Sequence, residues 1–154
     1  TKQEIKDEHK DTEGKPEVKG RIRRMQQEIA QNRMMSAVPD ADVIITNPTH
    51  FAVALKYEHG TMAAPRLVAK GVDLMAEQIK RVAIEHKVTI VTAPPLARSI
   101  YYNTKLEQEI PTGLYVSVAQ VLAYVYQLTE YTKGSGDNPG NVPDFEVPDD
   151  LKRD

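Results

Sequence analysis

The sequence contains no cysteine, and this absence excludes disulfides, thiolate metal sites and thiol nucleophiles. Its apolar runs are far shorter than the roughly 20 residues that cross a bilayer, and no signal peptide opens the chain. The formal net charge of -2 gives no overall attraction to nucleic acid or anionic lipid, so no nucleic-acid partner is expected. We therefore expect a globular domain that recognises its partners through local surface patches.

The sequence also lacks the motifs of common enzymes. It has no Walker A loop and no dinucleotide-binding glycine loop. Asp40 and Asp42 precede the first predicted strand, whereas ligands in open α/β sheets lie beyond the carboxyl ends of strands, and this argues against a small α/β enzyme or phosphoacceptor domain. Spacing typical of a metal pair on one helix is absent from His9, His50, His59 and His86. We expect no cofactor, no metal and no substrate acted on in trans.

The chain is predicted to have three parts. Residues 1–38 mix Lys, Glu and Asp closely, with few large apolar side chains, and are predicted to form a linker helix that cannot build a core. Residues 39–131 are predicted to form a compact domain. Residues 132–154 are predicted to be a disordered tail, because residues 134–154 hold six acidic and two basic side chains with several prolines and glycines.

Within the linker, Gly14-Lys15-Pro16 predicts a break. Beyond it, Ile22, Met25 and Ile29 recur at helical spacing. The basic cluster Arg21–Arg24 has two interpretations, a solvated helix face or a contact with anionic lipid or a partner, and the first is the more common role of such a cluster.

The compact part alternates strand and helix patterns. Val43–Thr46, Phe51–Tyr57 and Val88–Val91 are rich in β-branched or aromatic residues and predict strands. Pro94 and Pro95 suit the first turn of a helix. Two longer helices are predicted from apolar stripes in steps of three and four, one starting at Pro65 and one near Leu114. Their stripes are Val68, Val72, Met75, Ile79 and Val82, and Leu114, Val118, Val121, Leu122, Val125 and Leu128. The prediction is an α/β fold with helices covering a small sheet.

The turn between the first two strands carries an unusual chemical option. Asn47 precedes Pro48, whose ring nitrogen has no hydrogen and cannot attack the asparagine side chain, so the usual deamidation route is blocked. The remaining intramolecular reaction is attack by the Asn47 side-chain nitrogen on its own carbonyl carbon, which cuts the chain before Pro48. A residue before proline prefers extended geometry, and two flanking strands can hold the turn taut.

Two neighbours are candidates to assist this reaction. The Thr49 backbone N–H or hydroxyl is placed to stabilise the carbonyl oxygen, and His50 to move a proton. The alternative is an inert turn, because Asn-Pro-Thr is a good turn sequence by itself. A second Asn-Pro, at Asn138 and Pro139, has no flanking strands and is not expected to react.

Several motifs occur together in one order. They are "NPTH" from Asn47, "FAVALKY" from Phe51, "AKG" from Ala69 and "PPLAR" from Pro94, after a charged opening segment. In this combination the chain resembles the cytoplasmic domain of the autocleaving FlhB/SctU family of type III export-switch proteins. The resemblance implies four strands, and we expect the fourth near Gln108–Ile110, for a sheet of three to four strands surrounded by about four helices.

The resemblance also implies a function. Members of this family cut themselves at the Asn-Pro bond, here between Asn47 and Pro48, leaving fragments 1–47 and 48–154 associated. The cut accompanies a switch of export substrates from rod and hook proteins to filament proteins. Implied partners are other export-apparatus proteins, export substrates and a hook-length ruler protein. The implied location is the cytoplasmic face of the bacterial inner membrane, with a membrane domain expected before Thr1.

Two alternatives to this function stay open. In the first alternative, the chain is a homologue from the virulence injectisome. In the second, it is a structural adaptor that does not cut itself. A further candidate is an apolar contact for incoming substrates, although the same segment can instead start a helix packed on the domain. It consists of Ala93, Pro94, Pro95 and Leu96.

Overall fold

The computed structural model describes residues 2–48 and 50–153, with side chains described from residue 15 onward. The chain divides into two compact units, Thr1–Met34 and Met35–Asp154. Helix α1, Lys2–Ala37, continues through Pro16, so the predicted break there is wrong. Glu and Lys, which favour helix, stand on both sides of the proline, at Glu13, Lys15, Glu17 and Lys19, while the proline itself removes one backbone hydrogen bond.

The second unit is built on a mixed sheet of four strands in the order β3-β2-β1-β4. The strands are β1 Val43–Asn47, β2 Phe51–Lys56, β3 Arg66–Val72 and β4 Ile90–Thr92. β2 runs antiparallel to both β1 and β3, while β4 runs parallel to β1. β1 therefore has a hydrogen-bonded neighbour on each side. The predicted α/β class and sheet size are confirmed.

Both faces of the sheet are covered. Along β1 and β2, Val43, Ile45, Val53 and Leu55 point into one core, shared with α3 Pro94–Asn103 and α4 Tyr115–Thr132. The alternate residues include the fully buried Ile44 and face the other side, where α2 Asp73–Glu85 packs against β2 and β3. This alternation explains why the strand runs are continuously apolar, since a sheet covered on both faces buries every side chain.

Two predicted elements differ from the structure. The helix predicted from Pro65 begins only at Asp73, because Arg66–Val72 forms the strand β3. A strand continued without a loop by a helix happens to keep the spacing of an apolar helical stripe, which misled the periodicity argument. The additional strand that completes the four-stranded sheet is therefore Arg66–Val72, and not the predicted segment near Gln108–Ile110. The segment near Gln108–Ile110 contributes one isolated bridge, between Glu109 and Arg66.

The C-terminal tail differs from its prediction as well. The expected disorder of residues 132–154 is not confirmed, because Phe145 and Val147 are each only 8% exposed and belong to the core shared by α3 and α4. Two apolar side chains in an otherwise acidic segment bury enough surface to hold it, and composition averaged over the segment hides them. Within the described part of the chain, no helix is both long and apolar enough to cross a membrane.

Candidate functional site

The Asn-Pro pair lies in a tight hairpin turn. β1 ends at Asn47 and β2 begins at Phe51, and these two residues pair across the strands. The His50 backbone N–H donates a hydrogen bond to the Asn47 carbonyl oxygen at 3.0 Å, which closes a four-residue turn. Asn47 is half-buried while Pro48 and His50 are exposed. Thr49, one of the predicted site residues, lies outside the described residues.

The backbone is anchored on both sides of this turn. The Thr46 carbonyl, immediately before Asn47, accepts a hydrogen bond of 2.9 Å from the Ala93 N–H at the start of α3. The His50 carbonyl accepts one of 3.0 Å from the Asp73 N–H at the start of α2. Elements on opposite faces of the sheet thus hold the two ends of the turn, and little slack remains between them.

An aromatic cluster holds the strand that leaves the turn. The Phe51 ring lies 5.1 Å from the ring of Tyr101 and 5.6 Å from that of Tyr102, measured between centroids, in tilted and edge-to-face arrangements. The two tyrosine rings are 5.1 Å apart at nearly a right angle. Such pairs contribute roughly 0.5–1.5 kcal/mol each beyond the area they bury, so Phe51 is fixed more firmly than its backbone pairing alone requires.

The junction of β3 and α2 is backbone-strained. Asp73 has a φ of 49°, in the left-handed region, and directly follows the last residue of β3. The positive φ turns the chain from strand to helix without a loop and aims the Asp73 N–H at the His50 carbonyl. Non-glycine residues pay of the order of 1–2 kcal/mol for this geometry, although Asp tolerates it better than most. Close packing fixes the same junction, because a Cβ on Gly71 would lie 2.4 Å from the Met75 Cγ.

The geometry bears on the chemistry predicted for Asn47. A backbone N–H already lies against the carbonyl oxygen that gains negative charge when the carbonyl carbon is attacked. The predicted donor Thr49 lies outside the described residues and stays a prediction, while the His50 N–H, which was not predicted as a donor, bonds this oxygen. The sequence could have predicted this donor, because the carbonyl of the first residue of a tight turn often accepts a hydrogen bond from the N–H of the fourth. The His50 ring nitrogen Nδ1 is 3.3 Å from the carbonyl oxygen of Pro48, the residue that follows Asn47.

Lys70 supports the helix that carries the aromatic cluster. Its Nζ donates hydrogen bonds to the carbonyls of Tyr101 at 2.9 Å and Thr104 at 2.8 Å, and lies 4.8 Å from the centre of the Tyr101 ring. A cation at the C-terminal end of α3 also matches the helix dipole. Burial lowers the pKa of the Lys70 ammonium from its usual 10.5.

The other predicted site residues lie elsewhere. Ala93 and Leu96 are buried, Pro94 is half-buried and Pro95 is exposed, so the proline pair is the accessible part of this segment. In the second Asn-Pro pair, Asn138 is exposed and Pro139 is half-buried, and the Asn138 side-chain oxygen accepts a hydrogen bond of 2.9 Å from the Gly140 N–H. Among the side chains that the structure describes, in residues 15–48 and 50–153, no three of His, Asp or Glu are grouped to hold a metal ion.

The fold and the turn define a class, a small α/β domain whose first two strands are joined by an Asn-Pro hairpin. A family described as "FlhB HrpN YscU SpaS Family" matches residues 1–125, and the chain belongs to it. The chain is 48% identical over 151 residues to the flagellar biosynthetic protein FlhB of Salmonella typhimurium, and 50% identical over 127 residues to that of Bacillus subtilis. These matches cover 98% and 82% of the chain but only 39% and 35% of those relatives.

Solved structures agree with this family. The cytoplasmic domain of FlhB from Shewanella putrefaciens superposes with a TM-score of 0.75 at 55% identity, covering 80% of this chain and 95% of that one. A variant of the EscU C-terminal domain superposes with a TM-score of 0.57 at 31% identity, covering 58% and 90%. The resemblance predicted from the motifs is confirmed.

Proposed function

We propose that the chain cuts its own backbone between Asn47 and Pro48. The Asn47 Nδ2 attacks the carbonyl carbon of the same residue, and the new N–C bond closes a five-membered succinimide. The bond from that carbon to the Pro48 nitrogen breaks, its electron pair stays on the nitrogen, and the proton lost by Nδ2 is balanced by one taken up there. Atoms balance without a cofactor, a metal or an external reactant. The event is a single turnover, so the domain is not an enzyme.

The observation that carries this proposal is the 3.0 Å hydrogen bond from the His50 N–H to the Asn47 carbonyl oxygen. It polarises the carbonyl that is attacked, and it strengthens as the oxygen becomes an oxyanion. The turn is also held at Thr46 and at His50, so the attacked carbonyl has a fixed position. Because nucleophile and electrophile belong to one residue, only orientation remains for the fold to supply.

The required acceleration is modest. Shortening the lifetime of such a bond from about a year to about an hour lowers the barrier by roughly 5 kcal/mol. Removing one oxyanion donor from an enzyme typically costs about 3–4 kcal/mol, and holding the Asn47 side chain and carbonyl in a reactive orientation lowers the barrier further. One amide donor and a taut turn therefore suffice. In this proposal, His50 relays the proton toward the Pro48 nitrogen, and Thr49 assists at the carbonyl.

The two fragments remain together after the cut in this proposal. Residues 1–47 end with β1, whose Val43, Ile44 and Ile45 are fully buried. β1 is hydrogen-bonded to β2 and β4 on its two sides, and none of these bonds depends on the peptide link to Pro48. The cut instead frees the ends of the turn and creates a proline amine beside a succinimide or, after hydrolysis, a carboxylate.

We propose that this altered surface helps to switch a flagellar type III export apparatus from rod and hook substrates to filament substrates. Only a partner that binds the cut and uncut surfaces differently can read the change. Candidate partners are other export-apparatus proteins, export substrates and a ruler protein, which would bind at the cytoplasmic face of the inner membrane. Exposed Pro95 belongs to the segment proposed to contact export substrates. The flagellar names of the relatives support this role over the injectisome alternative. The EscU domain has been solved with an asparagine, and separately the proline after it, substituted.

Intact-mass measurement under denaturing conditions tests the cut. The purified chain is expected to give fragments 1–47 and 48–154, whose masses sum to the uncut mass, or to that mass plus one water after succinimide hydrolysis. Asn47→Ala is expected to give one uncut species, whereas the matched control Asn138→Ala cuts like the original chain. A folded chain that stays whole for days at neutral pH refutes the proposal and leaves the structural adaptor with an inert turn.

A further inference from the structure

The C-terminal segment Asp144–Leu151, called the strap below, lies on the domain as an extended peptide. Its side chains alternate, with Phe145 and Val147 buried and Glu146 and Pro148 exposed. This alternation is the pattern of a strand that presents one face to a surface. The strap forms no sheet ladder; apart from a short 3-10 turn at Asp149–Leu151, what holds it is the surface beneath it.

That surface binds the main chain of the strap and the residues after it through side-chain donors. The Ser117 hydroxyl on α4 donates to the Glu146 carbonyl. The Asn103 amide at the end of α3 donates to the Leu151 carbonyl at 3.1 Å, and the Arg98 Nε donates to the Arg153 carbonyl at 2.8 Å. Donors that engage backbone carbonyls, combined with pockets for alternate side chains, are the usual means of recognising an extended peptide.

A glycine gives the strap close access. A Cβ on Gly113, between α3 and α4, would lie 2.7 Å from the Cδ1 of Leu151, so a side chain at this position would force the end of the Leu151 side chain to shift. Leu151 in turn packs against the core cluster that contains Phe145 and Val147. The surface therefore has three apolar subsites and three polar donors. We call this surface the strap groove.

The groove and its occupant fall on different sides of the family match. Arg98, Asn103, Gly113 and Ser117 lie within residues 1–125, which match the family, while the strap lies wholly beyond residue 125. The family model therefore matches the residues that form the groove and does not extend to the strap. Residues 141–144, which lead into it, are exposed and without regular structure.

We propose that the strap groove is a binding site for an extended peptide with an aromatic-x-aliphatic pattern, and that the strap is its built-in, displaceable occupant. A short flexible tether gives a segment an effective concentration in the mM range, so an intramolecular contact of modest strength keeps the groove filled. Opening it requires loss of only two buried side chains and three hydrogen bonds, far less than unfolding of the domain. This inference is independent of the proposed self-cleavage.

A labelled synthetic peptide of residues 142–153 tests the proposal by fluorescence anisotropy. If the strap fills the groove more than nine-tenths of the time, the unaltered protein binds the peptide at least ~10-fold more weakly than a protein with an open groove. The open groove is made by Phe145→Ala with Val147→Ala, and the matched control is Val142→Ala, which trims an exposed valine just before the strap. A peptide carrying the same two alanines is expected to bind neither protein. Equal binding to the unaltered and open proteins, or no binding to the open one, overturns the proposal.

Hydrogen exchange on the unaltered protein provides a second test that does not depend on a variant folding. Displacement of the strap as a unit predicts that the amides of Phe145 and Val147 exchange faster than those of Ile44 and Ile45 in β1, through local opening. Exchange of all four amides at one common rate, set by global unfolding, would show that the strap is a fixed part of the core and would contradict the proposal.

Discussion

Ile45 lies in the middle of β1, two residues before the proposed cut, and its side chain is fully buried between the sheet and α3. Ile45→Ala removes three carbon atoms from a fully buried site. Such a substitution typically costs about 2–5 kcal/mol. While the chain is whole, this loss lowers the free energy of unfolding. Once the chain is cut, it also weakens the binding of fragment 1–47 to fragment 48–154.

The weaker binding between the fragments is the easier of the two effects to detect. A loss of about 2–5 kcal/mol raises a dissociation constant by roughly 30- to 4,000-fold. We expect the fragments of the original chain to stay together on dilution, and those of Ile45→Ala to separate. The control is Ile84→Ala on α2, where the isoleucine is 67% exposed and truncation is expected to change stability by no more than about 0.5 kcal/mol.

Two assays separate these effects. Urea unfolding of Ile45→Ala in the uncut Asn47→Ala background measures the cost to the whole domain. Native mass spectrometry of the cut protein across a dilution series measures the dissociation constant. The reasoning is refuted if the uncut domain loses stability as expected while the cut fragments bind as tightly as before. That result would mean that β1 does not hold the fragments together.

Two further predictions concern the supports of the turn. Asp73→Val places a β-branched residue at a positive φ, so we expect the free energy of unfolding to fall by about 1–2 kcal/mol and self-cleavage to slow, because the backbone N–H of residue 73 shifts away from the His50 carbonyl. The control is Glu77→Val on the exposed side of α2. Equal cleavage rates in the two variants would mean that this hydrogen bond does not support the turn. For Lys70, the lowered pKa means that the unfolded chain holds a proton that the folded chain releases, so the penalty for burying the charge is present below the folded pKa and disappears above 10.5. The free energy of unfolding of the original chain should therefore rise relative to that of Lys70→Met as the pH approaches 10.5. A difference between the two that does not change with pH would contradict this prediction.

The hairpin and the reactive pair could be predicted because their signals are local. Val43–Thr46 and the run from Phe51 are rich in β-branched or aromatic residues, and Asn47 and Pro48 stand between them, so strand, turn and strand follow from neighbouring residues. The structure extends the first strand to Asn47 and ends the second at Lys56. The supports of the turn could not be predicted in this way, because Ala93 and Asp73 are distant in sequence and act through backbone N–H groups that carry no side-chain signature.

The missed features have the same cause. The strand β3 depends on pairing with β2 and on one left-handed residue, Asp73, whereas its apolar spacing alone fits a helix. The docked strap depends on a groove formed by α3 and α4, and two apolar residues among acidic ones do not reveal that such a groove exists. In both cases a tertiary contact decides between conformations that the local sequence leaves open.

The interior position of β1 has a mechanical consequence. Its ladder bonds run across the strand, perpendicular toward the antiparallel β2 on one side and slanted toward the parallel β4 on the other. A force pulling along the strand axis therefore loads both rows in shear and must rupture them nearly at once, whereas an edge strand peeled from its end yields one bond at a time. A nick beyond Asn47 removes the covalent tether but leaves this shear-resistant clamp, through which tension applied to the N-terminal piece still reaches the sheet.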